Sequence, residues 1–153
     1  MKITLHEELR LLKEVSLFRN MKPEEHKIIA MTMRHVIYEA GEGIVNKGDE
    51  GDEAYIVYSG KVEVYRTLAD GKRISLNTLG AGEMFGELAL FGDGLRTASV
   101  KALEETVTAV ITKEKLYEIL REFPDIAIEL LKVQTRRFAR ADQRLMELLA
   151  KDA

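Results

Sequence analysis

The chain has 153 residues, 46% of them hydrophobic, enough for one buried core and too few for two ordinary domains. It contains no cysteine, which excludes disulfides, thiolate catalysis and sulfur-ligated zinc. A formal net charge of −3 lacks the strongly basic character of nucleic-acid binders, and no apolar run approaches the roughly 20 residues that span a bilayer, so the expected protein is soluble and cytoplasmic.

Met1 to Arg10 is polar and has no apolar signal region. Leu5, Leu9, Leu12 and Val15 fall at helical spacing, and Pro23 opens a second helical pattern with Ile28, Ile29 and Met33. From His35 to Thr112 the texture changes to short alternating runs: HVIYEAGE, GIVNKGD, EAYIVYSG, KVEVYRT, GKRISLNTLG, RTASVKA and ETVTAVIT. Val62 and Val64 share one strand face, as do Ile74, Leu76 and Thr78, giving each strand a side for a core. Turns at Gly41, Gly60, Asp70-Gly71 and Gly80 punctuate the runs without intervening helices, which predicts a small antiparallel barrel or jelly roll.

Helical periodicity returns in KEKLYEILREF, breaks at Pro124 and resumes to about Ala150. Along this last helix Ala127, Leu131, Gln134, Phe138, Ala141, Leu145 and Leu148 form one stripe, while Ile126, Leu130 and Val133 mark a second apolar face. The expected fold is therefore mainly β with flanking helices, as one domain over 1–153. Its parts are N-terminal helices over 1–33, a β-roll over 34–112 and two C-terminal helices over 113–150.

His6, His26 and His35 share no metal-ligand spacing, and the acidic loop Asp49, Glu50, Asp52, Glu53 lacks the ligand spacing of a calcium loop. The expectation is structural or surface roles for the histidines, a solvated turn for the loop and no metal. Ser16, Ser59, Ser75 and Ser99 have no nucleophile-elbow context. Lys132, Arg136, Arg137, Arg140 and Arg144 make a basic stripe on the last helix, interleaved with Glu129, Asp142 and Glu147, which reads as a solvated face.

One stretch remains, Gly82 to Val100: GEMFGELALFGDGLRTASV. Gly86 permits close backbone approach, the amides of Leu88 and Ala89 begin a short helical turn, and Arg96 brings a planar fork of donors. With Glu87 as acceptor for a hydroxyl, these parts make a sugar-phosphate clamp. Taken alone they also fit two ordinary turns with a surface Glu and Arg.

The order of parts goes further. FGELAL followed by RTASV, after the glycine-punctuated YEAGEGIVNKGDEGDEAYIVYSGKVEVY and before two closing helices, resembles the cyclic nucleotide-binding domain family over residues 15 to 150. The resemblance implies a β-roll whose cassette, residues 82–100, holds a cyclic nucleotide. In that family the cassette Glu, here Glu87, accepts from the ribose 2′-hydroxyl, and the cassette Arg, here Arg96, pairs with the cyclic phosphate. Gly86 and the backbone donors of Leu88, Ala89 and Ala98 complete the cradle, with Val64 and Leu76 lining purine and ribose.

Thr97 follows the Arg, as in many members that favour cGMP and some that respond to cAMP. Ala141 and Asp142 stand where the catabolite activator branch has hydroxyl residues that meet the base. Asp142 is thus a base contact or a solvated helix residue. The resemblance implies a ligand, cAMP with cGMP as alternative, and no catalytic cofactor. It also implies a non-enzymatic regulatory module that signals through movement of the C-terminal helices to a protein partner, with a likeness to protein kinase A regulatory subunits. A homodimer through the long last helix is expected, and a ligand-free dimerising interaction protein that kept the fold is the other reading. No helix-turn-helix segment follows Met146, so direct nucleic-acid contact is not expected, and the lack of a long apolar run speaks against membrane contact. A stand-alone module is expected over a domain of a longer chain.

Overall fold

The computed structural model describes residues 3–151; the ends of the expected 1–153 span, Met1, Lys2, Asp152 and Ala153, lie outside the described residues. The chain divides into two compact units, one ending at Tyr117 and one beginning at Glu118.

In the first unit, α1 (Leu5–Leu12) starts where the Thr4 hydroxyl accepts from the Glu7 amide at 3.1 Å, a cap that satisfies one of the free amides of the first turn. A 3-10 turn at Ser16–Phe18 precedes α2 (Pro23–Ala30), which places proline at its first position and is closed by the Glu25 carboxylate accepting from Lys22 N–H at 2.9 Å. Leu12, Val15, Leu17, Phe18 and Ile29 of this segment are buried. His26 is buried with them, its ring Nε2 donating to the Phe18 carbonyl at 2.6 Å, and His35 pairs with the buried Glu8 of α1, whereas His6 is exposed.

Among the described residues eight strands follow: β1 (Arg34–Tyr38), β2 (Gly43–Val45), β3 (Glu53–Ser59), β4 (Val62–Thr67), β5 (Arg73–Leu79), β6 (Met84–Phe85), β7 (Ser99–Ala102) and β8 (Thr106–Thr112). They pair antiparallel in two four-stranded sheets, ordered β1-β8-β3-β6 and β2-β7-β4-β5. Tyr55, Val57, Phe85 and Val110 from the first sheet form one core cluster with Val45, Val62, Leu79 and Val100 from the second. This is the expected β-roll with flanking helices, and burying these alternating faces is what holds it together.

The face predicted for β5 is not the one observed. Leu76 and Thr78 are exposed, Ile74 is half-buried, and the strand's core contribution is Leu79. The cause is a register shift between Val64 and Tyr65 in the β4–β5 pairing, on an edge strand that has a neighbour on one side only. A one-residue slip turns over every later side chain.

The second unit contains the C-terminal half of α4 (Lys113–Glu122) and all of α5 (Pro124–Lys151). Ile126 and Leu130 are buried early in α5, whereas Leu131 (66%), Phe138 (74%), Leu145 (54%) and Leu148 (52%) are exposed. The stripe read from the sequence exists as a largely open apolar face. Asp142 is exposed on the same helix.

Candidate functional site

β6 ends at Phe85, and Gly86 then turns the chain with φ +83°, a left-handed conformation that costs a side-chain-bearing residue about 1–2 kcal/mol. Glu87 is the N-cap of α3 (Leu88–Phe91), a single short turn of helix. The Glu87 side chain is buried despite its charge, at 2% exposure. Ala89 and Leu90 of this turn are buried while Leu88 is half exposed, and the Leu90 carbonyl accepts from the Tyr117 hydroxyl.

A second wall comes from the acidic loop between β2 and β3. Its backbone zips to the segment before β7: Arg96 N–H donates to Asp49 O at 2.8 Å, Gly48 N–H to Arg96 O at 2.9 Å, and Gly51 N–H to Gly94 O at 2.9 Å. Lys47 N–H donates to the Ser99 hydroxyl at 2.9 Å, and Arg66 Nε donates to Thr97 O at 2.9 Å. The loop, whose Asp49, Glu50 and Asp52 are exposed as a solvated turn would have them, is also a structural frame for Arg96.

That frame sets the guanidinium. Arg96 is 7% exposed, and its Nη1 donates to both Glu53 O and Gly86 O at 2.9 Å. The guanidinium carbon lies 5.7 Å from the centre of the Tyr55 ring, which is itself stacked on Phe85 at 4.8 Å. Gly51 leaves room for this course: a Cβ there would fall 2.2 Å from Arg96 Nε and 2.4 Å from Cζ. A Cβ on Gly86 would fall 2.9 Å from Nη1 and 3.2 Å from Tyr55 Cδ1. Both carbonyls are spent on Nη1, so the Nε and Nη2 donors make no hydrogen bond among the described residues. A buried, preset fork of this kind suits a planar pair of anionic oxygens.

The structure brings Gly86, Glu87, Leu88, Ala89, Arg96, Thr97 and Ala98 into one short segment between β6 and β7, with Ala98 buried and Thr97 exposed. Val64 is half-buried against the core cluster and Leu76 is 38% exposed on the edge strand. Asp142 belongs to the second unit. Sequence reasoning did not single out Gly51, Tyr55 or the Glu53 carbonyl. Glu53 was visible only as a member of the acidic run, and Gly51 only as one of the two glycines, Gly48 and Gly51, within it.

Comparison with known proteins places the chain as a whole. The sequence profile of the cyclic nucleotide-binding domain fits residues 35–123, more than half of the chain. The chain belongs to the cyclic nucleotide-binding domain family. It is 35% identical over 134 residues to the Cyclic AMP receptor protein of Thermus thermophilus, covering 88% of this chain and 62% of that protein. It is 32% identical over 115 residues to a cAMP-dependent protein kinase regulatory subunit of Blastocladiella emersonii, covering 75% of this chain and 28% of that one. Among solved structures, the Thermus thermophilus catabolite activator protein superposes with a TM-score of 0.79 at 36% identity, over 88% of this chain and 63% of that chain. The chain spans less than two thirds of the length of either of these two relatives. No helix of the described residues is long and apolar enough to cross a membrane.

Proposed function

We propose that this chain is a cyclic nucleotide-binding regulatory module that takes cAMP and has no catalytic activity of its own. The observation that carries the reading is the buried Arg96, anchored on two main-chain carbonyls with the rest of its fork open. The cyclic phosphate meets Arg96 and the amides of Leu88, Ala89 and Ala98. The ribose hydroxyl donates to Glu87, and Val64 and Leu76 take the apolar faces. The names of the relatives, a cyclic AMP receptor and a cAMP-dependent kinase regulatory subunit, favour cAMP over cGMP. Thr97 and Asp142 are compatible with either base.

Both parts of the chain are taken to act as one domain, in which capture of the nucleotide shifts the C-terminal helices and so signals to a protein partner. A ligand moves such an equilibrium only by its differential affinity for the two arrangements. Calorimetric titration with cAMP and with cGMP, beside mass spectrometry of any copurifying nucleotide, tests the reading; heat from neither nucleotide would overturn it.

Glu87→Gln keeps the shape and one acceptor oxygen but loses the charge assistance, so affinity for cAMP should fall about tenfold. An unchanged Kd in that variant would remove Glu87 from the ribose.

The second reading, a dimerising module, rests on the open stripe of Leu131, Phe138 and Leu145 on a 28-residue helix. Two copies aligned along that stripe would bury it as a coiled coil, with Gln134 fixing register. Sedimentation equilibrium should show a dimer that Phe138→Glu converts to monomer; a wild-type monomer at high concentration would sink this reading.

A further inference from the structure

Arg34, Val110, Tyr55 and Phe85 form one row across β1, β8, β3 and β6. Residues directly paired in a sheet share a face, and Tyr55 and Val110 face the core, so the Arg34 side chain leaves β1 on that same face. Glu53, two residues before Tyr55 on β3, projects on this face too. Its two ends have different partners. The carboxylate is gripped by both terminal nitrogens of Arg34, Nη2 to Oε1 at 3.0 Å and Nη1 to Oε2, while the main-chain carbonyl accepts from Arg96. Glu53 therefore stands between two arginines, and its side chain is 22% exposed against 55% for Arg34.

The electrostatics follow from that placement. The hydrogen bonds from Arg34 hold the Glu53 carboxyl below the usual carboxylate range against the opposing effect of partial burial, and the charges of Arg34 and then Arg96 add to the lowering. Arg96 is thus within electrostatic reach of a carboxylate it does not bond through its side chain. An acid this near a phosphate-binding guanidinium is a built-in competitor for the open donors.

We propose that Arg34 is a positioning residue: by holding the Glu53 carboxylate on β1, it keeps that acid from occupying the open Nε and Nη2 donors of Arg96. Arg34 touches no ligand; it acts through Glu53. The same pair also fixes the start of β3, and so the carbonyl on which Arg96 rests. This inference rests on the reading of Arg96 as the phosphate partner for its effect on binding, but not for the rearrangement itself.

Two measurements on the whole chain test it. In the first, the Glu53 carboxyl is titrated by carbon-13 NMR without nucleotide. In Arg34→Gln it should stay below the ordinary glutamate range because Arg96 takes over the pairing, and in Arg34→Gln with Arg96→Gln it should return to that range. Return already in the single variant would overturn the proposal whatever the chain binds. In the second, Arg34→Gln should weaken cAMP binding about three- to fivefold, the scale of one partly exposed ion pair, and adding Glu53→Gln should restore it. Undiminished affinity in Arg34→Gln, or no recovery in the double variant, also overturns the proposal. A wild-type chain that takes up no cAMP would instead refute the nucleotide reading, while the carboxyl titration still decides the role of Arg34.

Discussion

Arg96→Lys is expected to weaken cyclic nucleotide binding by about a hundredfold or more, even though the charge is kept. Each charge-assisted hydrogen bond contributes roughly 1.5–3 kcal/mol, and the guanidinium can offer two in one plane to a phosphate while Nη1 stays on Glu53 and Gly86. A lysine has a single nitrogen. If it turns to the phosphate it abandons both carbonyls, and if it stays on them it presents no planar pair of donors. Arg96→Ala should lose the same binding and also lower stability by about 1–3 kcal/mol, because the two carbonyls beside a vacated buried site lose their donor. Calorimetric titration and a denaturant melt of each variant separate the two effects. A lysine variant that binds within about threefold of wild type would mean that charge alone, and not the fork, holds the nucleotide.

The β-roll was largely legible because its strands bury one face and therefore alternate, and because glycines with positive φ at Gly41, Gly60 and Gly71 punctuate them. β6 escaped, since Met84–Phe85 is too short to show a period. The face of β5 was misjudged because a bulge leaves no mark on alternation read along a single strand. Glu87, Arg96 and their spacing were visible as a local motif. What positions Arg96 was not, because those partners are distant in sequence: Glu53 lies 43 residues before it, and Arg34 a further 19 before Glu53. A local pattern can announce a chemical group, but the frame that aims it is assembled from other strands and is seen only once they pair.

Gly51→Ala is the change that tests this frame without touching a proposed ligand contact. Gly51 does not use the left-handed region, so alanine adds no backbone strain there, and its N–H can continue to donate to Gly94 O. The new methyl carbon would instead lie 2.2 Å from Arg96 Nε, 2.4 Å from Cζ and 2.8 Å from Cδ. Nε and Cζ belong to the guanidinium that Nη1 anchors on two carbonyls, so the side chain must leave its course and with it the Glu53 and Gly86 carbonyls. Affinity for cAMP should fall on the order of a hundredfold, close to the loss in Arg96→Ala, while the melting temperature falls only by about 2–4 °C. Gly86→Ala offers the contrast: its φ of +83° adds strain to the contact with Nη1, so stability and binding should fall together. The decisive comparison is Gly51→Ala made in the Arg96→Ala background. If Gly51 acts by leaving space for Arg96, the second substitution should cost no further affinity, since the interaction it disrupts is already gone. Additive losses would show instead that the loop between β2 and β3 reaches the nucleotide by a route of its own.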